Sequence, residues 1–147
     1  MFGKLLGKKA SSAKAELKKI ENRDLMQAIV AGGLLVASAD GQIEKEEQAA
    51  LEALMRANPS MAHFGSEITE TINRFSEMLS AGGTLARVKI MREIGDIKGT
   101  PQDAEEAYAC MIDIAQSDGE IEPAELKALA EIGRTLGLRP QDFGVEA

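Results

Sequence analysis

The chain has no tryptophan, one tyrosine and four phenylalanines, so aromatics make up 3% of its 147 residues. That scarcity argues against a β-sandwich, which draws on aromatic and β-branched residues, and against a surface on which nucleic-acid bases stack. Cys110, the only cysteine, has no partner for an internal disulfide. It falls within a helical pattern and reads as a buried thiol in a reducing compartment. The only histidine, His63, sits in a predicted linker with no cysteine or second histidine at ligand spacing, so a structural or neutral role is expected. No apolar run approaches a membrane span, and the start Met1-Phe2-Gly3-Lys4-Leu5-Leu6-Gly7-Lys8 lacks the apolar stretch of a secretory signal. A cytoplasmic protein is expected. An activated nucleophile, a phosphate-binding loop and a histidine paired with a carboxylate are all missing, so no enzymatic activity is expected.

What the chain does have is apolar content and acid. Hydrophobic residues reach 44%, too many for a disordered chain, and the length suits one domain spanning residues 1–147. The net charge is −7. Residues 1–23 hold seven Lys/Arg against two Glu, a balance of +5 that leaves −12 for the rest. So acidic a body repels phosphate backbones and excludes nucleic acid as the natural partner; cations or basic proteins suit it better.

Hydrophobic spacing predicts an all-α fold of about seven helices. Residues 4–22 form a basic amphipathic helix with Leu6, Ala10, Ala13, Leu17 and Ile20 near one face. It reads either as a cover for the core or as a helix lying on anionic lipid at the inner membrane surface. A helix capped by Asp24 runs to about Ser38 and is apolar on both sides, which predicts a central, buried position. Gly32-Gly33 inside it allow another helix to approach closely. A third helix runs from Glu44 or Lys45 to about Ala57 with Ala50, Leu51, Leu54 and Met55 inward. The fourth opens at Ser66 and passes Ile72, Phe75, Met78 and Leu79. The fifth spans Leu85 to Gly95, capped by Thr84, with Leu85, Val88, Met91 and Ile94 near one face. The sixth starts at Asp103 and ends near Ser117, carrying Ala107, Cys110, Met111, Ile114 and Ala115. Pro123 suits the first position of the seventh, where Leu126, Leu129, Ile132 and Leu136 face inward and Gly137 ends the helix. Phe143 in the tail anchors back on the core.

One pattern occurs twice. Asp40-Gly41-Gln42-Ile43-Glu44-Lys45-Glu46-Glu47 and Asp118-Gly119-Glu120-Ile121-Glu122-Pro123-Ala124-Glu125 both read D-G-x-I-E-x-x-E, at an offset of 78 residues (118 − 40). Ala37-Ser38-Ala39 precedes the first copy and Ala115-Gln116-Ser117 the second, and Leu51 and Leu129 follow at equal distance. A repeat at half-length indicates a duplicated unit whose two acidic turns face one another across a pseudo-twofold axis. Each turn matches the back half of an EF-hand loop: the aspartate at loop position 5, glycine at 6, a glutamate at 9 and a glutamate at 12. The front half fails, because Val36 or Ile114 stands at position 1, so these are not EF-hands. A few carboxylates with no histidine or cysteine favour a hard cation such as Ca²⁺, bound on the order of 10⁻⁴ to 10⁻³ M. The competing reading makes Gly41 and Gly119 helix ends, and Glu47 and Glu125 caps that bond the free N–H groups of the next helix.

The basic start Met1-Phe2-Gly3-Lys4, the paired turns Val36-Ala37-Ser38-Ala39-Asp40-Gly41 and Ala115-Gln116-Ser117-Asp118-Gly119, and the ending Leu136-Gly137-Leu138-Arg139-Pro140-Gln141-Asp142-Phe143-Gly144 together resemble the TerB family of tellurite resistance proteins. The resemblance implies a compact helical bundle with internal pseudo-symmetry, whose clustered acids bind divalent cations, calcium best. It implies a non-catalytic role in tellurite and general stress resistance alongside other Ter proteins, including the membrane protein TerC. By position it assigns Asp40, Glu44 and Glu47 to one acidic turn and Asp118, Glu120, Glu122 and Glu125 to the other.

Overall fold

The computed structural model describes residues 22–117 and 119–146. Six α-helices run through them: α1 over residues 22–37, α2 Lys45–Ala57, α3 Ser66–Ala81, α4 Thr84–Gly95, α5 Pro101–Gln116 and α6 Pro123–Thr135. Short 3₁₀ turns cover Ser38–Asp40, Ala62–Phe64 and Pro140–Phe143, and no strand occurs among the described residues. The basic helix expected over residues 4–22 lies outside them, apart from Asn22.

Helix α1 organises the rest because it has almost no polar face. Leu25, Met26, Ala28, Ile29, Val30, Ala31, and the whole run from Gly32 to Val36, are buried. A helix apolar all round must be wrapped on every side. It joins one continuous core with Leu51 and Met55 of α2, Ile68, Ile72 and Phe75 of α3, Ile90 and Ile94 of α4, Met111 of α5 and Leu129 of α6. The glycine pair admits the neighbours. A Cβ on Gly32 would stand 2.4 Å from Met111 Sδ and Cε; one on Gly33 would stand 3.2 Å from Leu51 Cδ1 and 3.5 Å from Ile114 Cδ1. The expected close approach is therefore made by α5 on one side and α2 on the other.

The internal repeat is written in the backbone. Helices α2 and α6 correspond at both ends at the same offset of 78 residues, and their flanking residues Glu44 (φ −80°, ψ 152°) and Glu122 (φ −70°, ψ 157°) share one extended conformation. Within the second half, Tyr108 is fully buried, donates to the Leu129 carbonyl at 2.7 Å and meets Phe143 edge-on with ring centroids 5.0 Å apart. Burial pushes its phenol up to about 12. Phe143 thus anchors the tail, with Pro140 and Val145 buried beside it in the last turn.

Several local expectations change. Helix is already present at residue 22, so Asp24 lies inside α1 and does not cap it. Gly65 and Gly83, not Ser66 and Thr84, precede α3 and α4, and neither end has a side-chain cap. Helix α5 begins two residues before Asp103, at Pro101, because proline suits a first helical position. Leu54 is 40% exposed, Leu85 65% and Val88 39%. In α4 the buried side belongs to Ile90 and Ile94, and the stripe begun by Leu85 and Val88 turns outward. Cys110 is partly buried, with its thiol pushed up by that burial and by Glu106 and Asp113.

Two glycines test the packing. On Gly133 an added Cβ would lie 2.8 Å from Tyr108 Oη and 3.2 Å from Pro140 Cγ, against a rigid ring. Gly133→Ala is expected to lose about 1–3 kcal/mol in urea unfolding. Gly32→Ala meets only the flexible end of Met111 and gains helix propensity of up to about 1 kcal/mol, so its loss should be clearly smaller.

Candidate functional site

Each acidic turn is built by a glycine that reverses the chain. Gly41 has φ 113° and Gly119 φ 122°, a region closed to most side chains. Their N–H groups donate to Ser38 O at 2.9 Å and Gln116 O at 3.1 Å, which ends α1 and α5 in the same way. The chain then extends through Glu44 or Glu122 into α2 or α6. Hydroxyls beside the turns are used locally: Ser38 Oγ donates to Leu35 O at 2.9 Å and Ser117 Oγ to Ile114 O at 2.7 Å.

The candidate ligands divide into two groups. Asp40, Glu44, Glu120 and Glu122 are exposed. Glu47 and Glu125, each in the third position of its helix, are partly buried and border one cavity of about 20 Å³. That volume holds about one water molecule. The repeat also shapes the walls: Val36 and Ile114, Ala37 and Ala115, and Glu47 and Glu125 are three pairs at the offset of 78, with Gly33 and Leu51 completing the apolar side. The two turns therefore meet at their closing glutamates. Asp118 lies outside the described residues, and among those described no three Asp, Glu, His or Cys side chains gather closely enough to hold a metal ion.

The second copy's glutamates cap their own helix. Glu122 and Glu125 form a capping box, in which the Glu122 N–H donates to Glu125 Oε1 at 3.1 Å. At the first copy, Glu44 makes no side-chain cap bond. A carboxylate has two oxygens and about four acceptor sites, so one group can both cap a helix and ligate a cation. All donors here are oxygen, which fits a hard cation and not zinc.

Sequence reasoning named the glutamates but missed the cavity's apolar walls. The signal was present, since Val36, Ala37, Ile114 and Ala115 flank the repeated turns at the repeat offset. His63, exposed in the turn Ala62–Phe64, stacks on Phe64 with ring centroids 4.2 Å apart. Arg23 forks onto Glu67 at 3.1 and 3.3 Å and lies over the same Phe64 ring, tying α1 to α3. A second acidic grouping was not foreseen. Asp24 of α1 and Glu93 of α4 both have carboxyls held above the ordinary range, by burial first and then by the Asp96 charge, while Arg74 works the other way on Glu93.

The chain belongs to the TerB family: the family model described as Tellurite resistance protein TerB matches residues 26–146. Comparison with curated proteins and with solved structures gave no significant match. Among the described residues no helix is long and apolar enough to cross a membrane.

Two variants probe the turns. Nothing crowds Gly41 or Gly119, so alanine there should cost only the backbone strain of about 1–2 kcal/mol each, read as a lower urea midpoint. The acidic grouping gives a pH effect. The folded protein holds the Glu93 proton more tightly than the unfolded chain does, so this residue's contribution to stability falls as pH rises through 4.5 and above. Glu93→Gln should raise the urea midpoint at pH 7, and the gain should vanish well below pH 4.5, where both states are protonated.

Proposed function

We propose, from membership of the TerB family, that this protein is a non-catalytic calcium-binding adaptor in tellurite and stress resistance. In this reading the cation sits between the two acidic turns, and Glu47 and Glu125 hold it. The observation that carries the proposal is their position on one water-sized cavity, walled by residue pairs from both halves. Asp40, Glu44, Glu120 and Glu122, exposed on the same two turns, add negative charge that raises the local cation concentration, and Asp118 adds its charge to the second turn's sequence. Backbone carbonyls and water complete the oxygen shell that calcium requires. With a single pair of closing carboxylates, affinity falls near 10⁻⁴ to 10⁻³ M, on the order expected of weak oxygen sites.

Such a site couples binding to shape. Glu47 begins α2 and Glu125 begins α6, so a cation drawing the two together fixes one half against the other. Partners that read this arrangement are other Ter proteins, the membrane protein TerC among them, met at the cytoplasmic face. The excess of lysine in residues 1–21 supports a peripheral contact with anionic lipid there. A metal-independent interaction module is the rival reading, favoured by the capping box at Glu122 and Glu125.

Calcium titration of metal-stripped protein, followed by amide NMR with magnesium as control, separates them. Saturable shifts over residues 41–47 and 119–125 are expected, and both Glu47→Gln and Glu125→Gln should weaken the response at both turns together, by about tenfold. Shifts lost turn by turn would instead indicate two separate sites. Spectra unchanged to several millimolar calcium would reduce the turns to helix caps.

A further inference from the structure

A trough lies between α4 and α6, lined on the α4 side by Arg87, Val88, Met91 and Arg92. On one side Leu85, Val88 and the half-buried Met91 share a face at helical spacing. The trough comprises two adjoining hollows of about 340 and 410 Å³, both bordered by Arg87 and Glu131, with Val88 and Met91 in the first and Leu85 just outside their lining. The first is lined further by Val88, Met91 and Arg92, and the second reaches Lys127 and Arg134 over a floor of Leu35, Ala39 and Ala128.

Charge makes this trough unlike the rest of the molecule. The described residues hold eleven Lys/Arg against twenty-one Asp/Glu. Four of those eleven bases line the trough, with a single acid, Glu131. Glu131 is already engaged, because Arg87 donates to its Oε2 at 2.7 Å across the trough. That pair is about half exposed on both sides, so it is weak and open to exchange. An incoming carboxylate can take Arg87 in place of Glu131 with little loss.

We propose that the α4–α6 trough is a docking site for an acidic amphipathic segment of a partner protein. Its apolar side chains lie on Leu85, Val88 and Met91, and its carboxylates meet Arg87, Arg92, Lys127 and Arg134. Two alternatives fit less well. Nucleic acid finds no aromatic ring here on which to stack and faces an acidic body beyond the rim. A second copy of the chain brings that same acidic body against its twin, with repulsion spread over the whole contact. The acidic turns call for cations; the trough selects the opposite charge, which gives the protein two chemically distinct faces.

The test uses the full chain and a fluorescein-labelled amphipathic peptide of about 15 residues, four helical turns, with Leu on one face and Glu on the other. A control peptide replaces every Glu by Lys. Anisotropy should show saturable binding of the Glu peptide alone, weakening as salt rises to about 0.3 M and the Debye length shortens. Amide shifts should centre on residues 85–92 and 124–134. The double variant Lys127→Glu/Arg134→Glu should lose about tenfold or more in affinity. Leu85→Ser, at an exposed position that leaves folding intact, should lose severalfold. Equal binding of both peptides, shifts centred elsewhere, indifference to the variants, or no binding at all would overturn the proposal. So would phosphatidylglycerol vesicles that shift residues 85–92 and 124–134 in the peptide's place, or self-association abolished by Leu85→Ser.

Discussion

Everything in this fold depends on burying α1. From Leu25 to Val36 only Gln27 is even partly exposed, so the helix cannot rest on a surface and must be enclosed. Burial of each large aliphatic side chain along it contributes about 1.5–3 kcal/mol, enough in sum to dictate where the other helices go. Enclosure needs close approach, and Gly32 and Gly33 provide it. A methyl group at Gly32 would push aside the flexible end of Met111, and one at Gly33 would press on Leu51 and Ile114. One helix and two missing side chains thereby set the distance at which α2 and α5 pack.

The position of the acidic turns follows from that enclosure. Helices α1 and α5 end alike, at Gly41 and Gly119, and each hands the chain to a helix whose third residue is a glutamate. Because the same connection is used twice around one core, Glu47 and Glu125 reach a common cavity although they are far apart in sequence. Asp40, Glu44, Glu120 and Glu122 stay in solvent and do not border the cavity. Glu125 both closes the first turn of α6 and borders the cavity.

Much of this was legible in the residues. The helix positions followed from apolar spacing, and the boundaries of α2 and α6 from proline, glycine and the repeated motif. Failures fall where spacing is ambiguous. Leu85, Val88, Met91 and Ile94 form as good a stripe as any buried one, yet α4 is rotated so that Ile90 and Ile94 face in and Leu85 faces out. Periodicity defines a face but not which of two adjacent faces meets the core, because that depends on what packs against it. Ser66 and Thr84 look like caps by residue type. Both turn out to be the first helical residue, because the glycines before them adopt the turn.

The sequence by itself determined the all-helical class, the duplication at 78 residues, the burial of α1 and the identity of the paired glutamates. Each of these is a property of local pattern, carried by residue type and spacing along the chain. Tertiary structure alone decided that Glu47 and Glu125 share one cavity while Asp40, Glu44, Glu120 and Glu122 do not border it. It alone assembled Arg87, Arg92, Lys127 and Arg134 from two helices into one basic trough on an acidic protein. The physical reason is that a cavity or a trough belongs to the space between helices, and that space is fixed only when the core closes around α1.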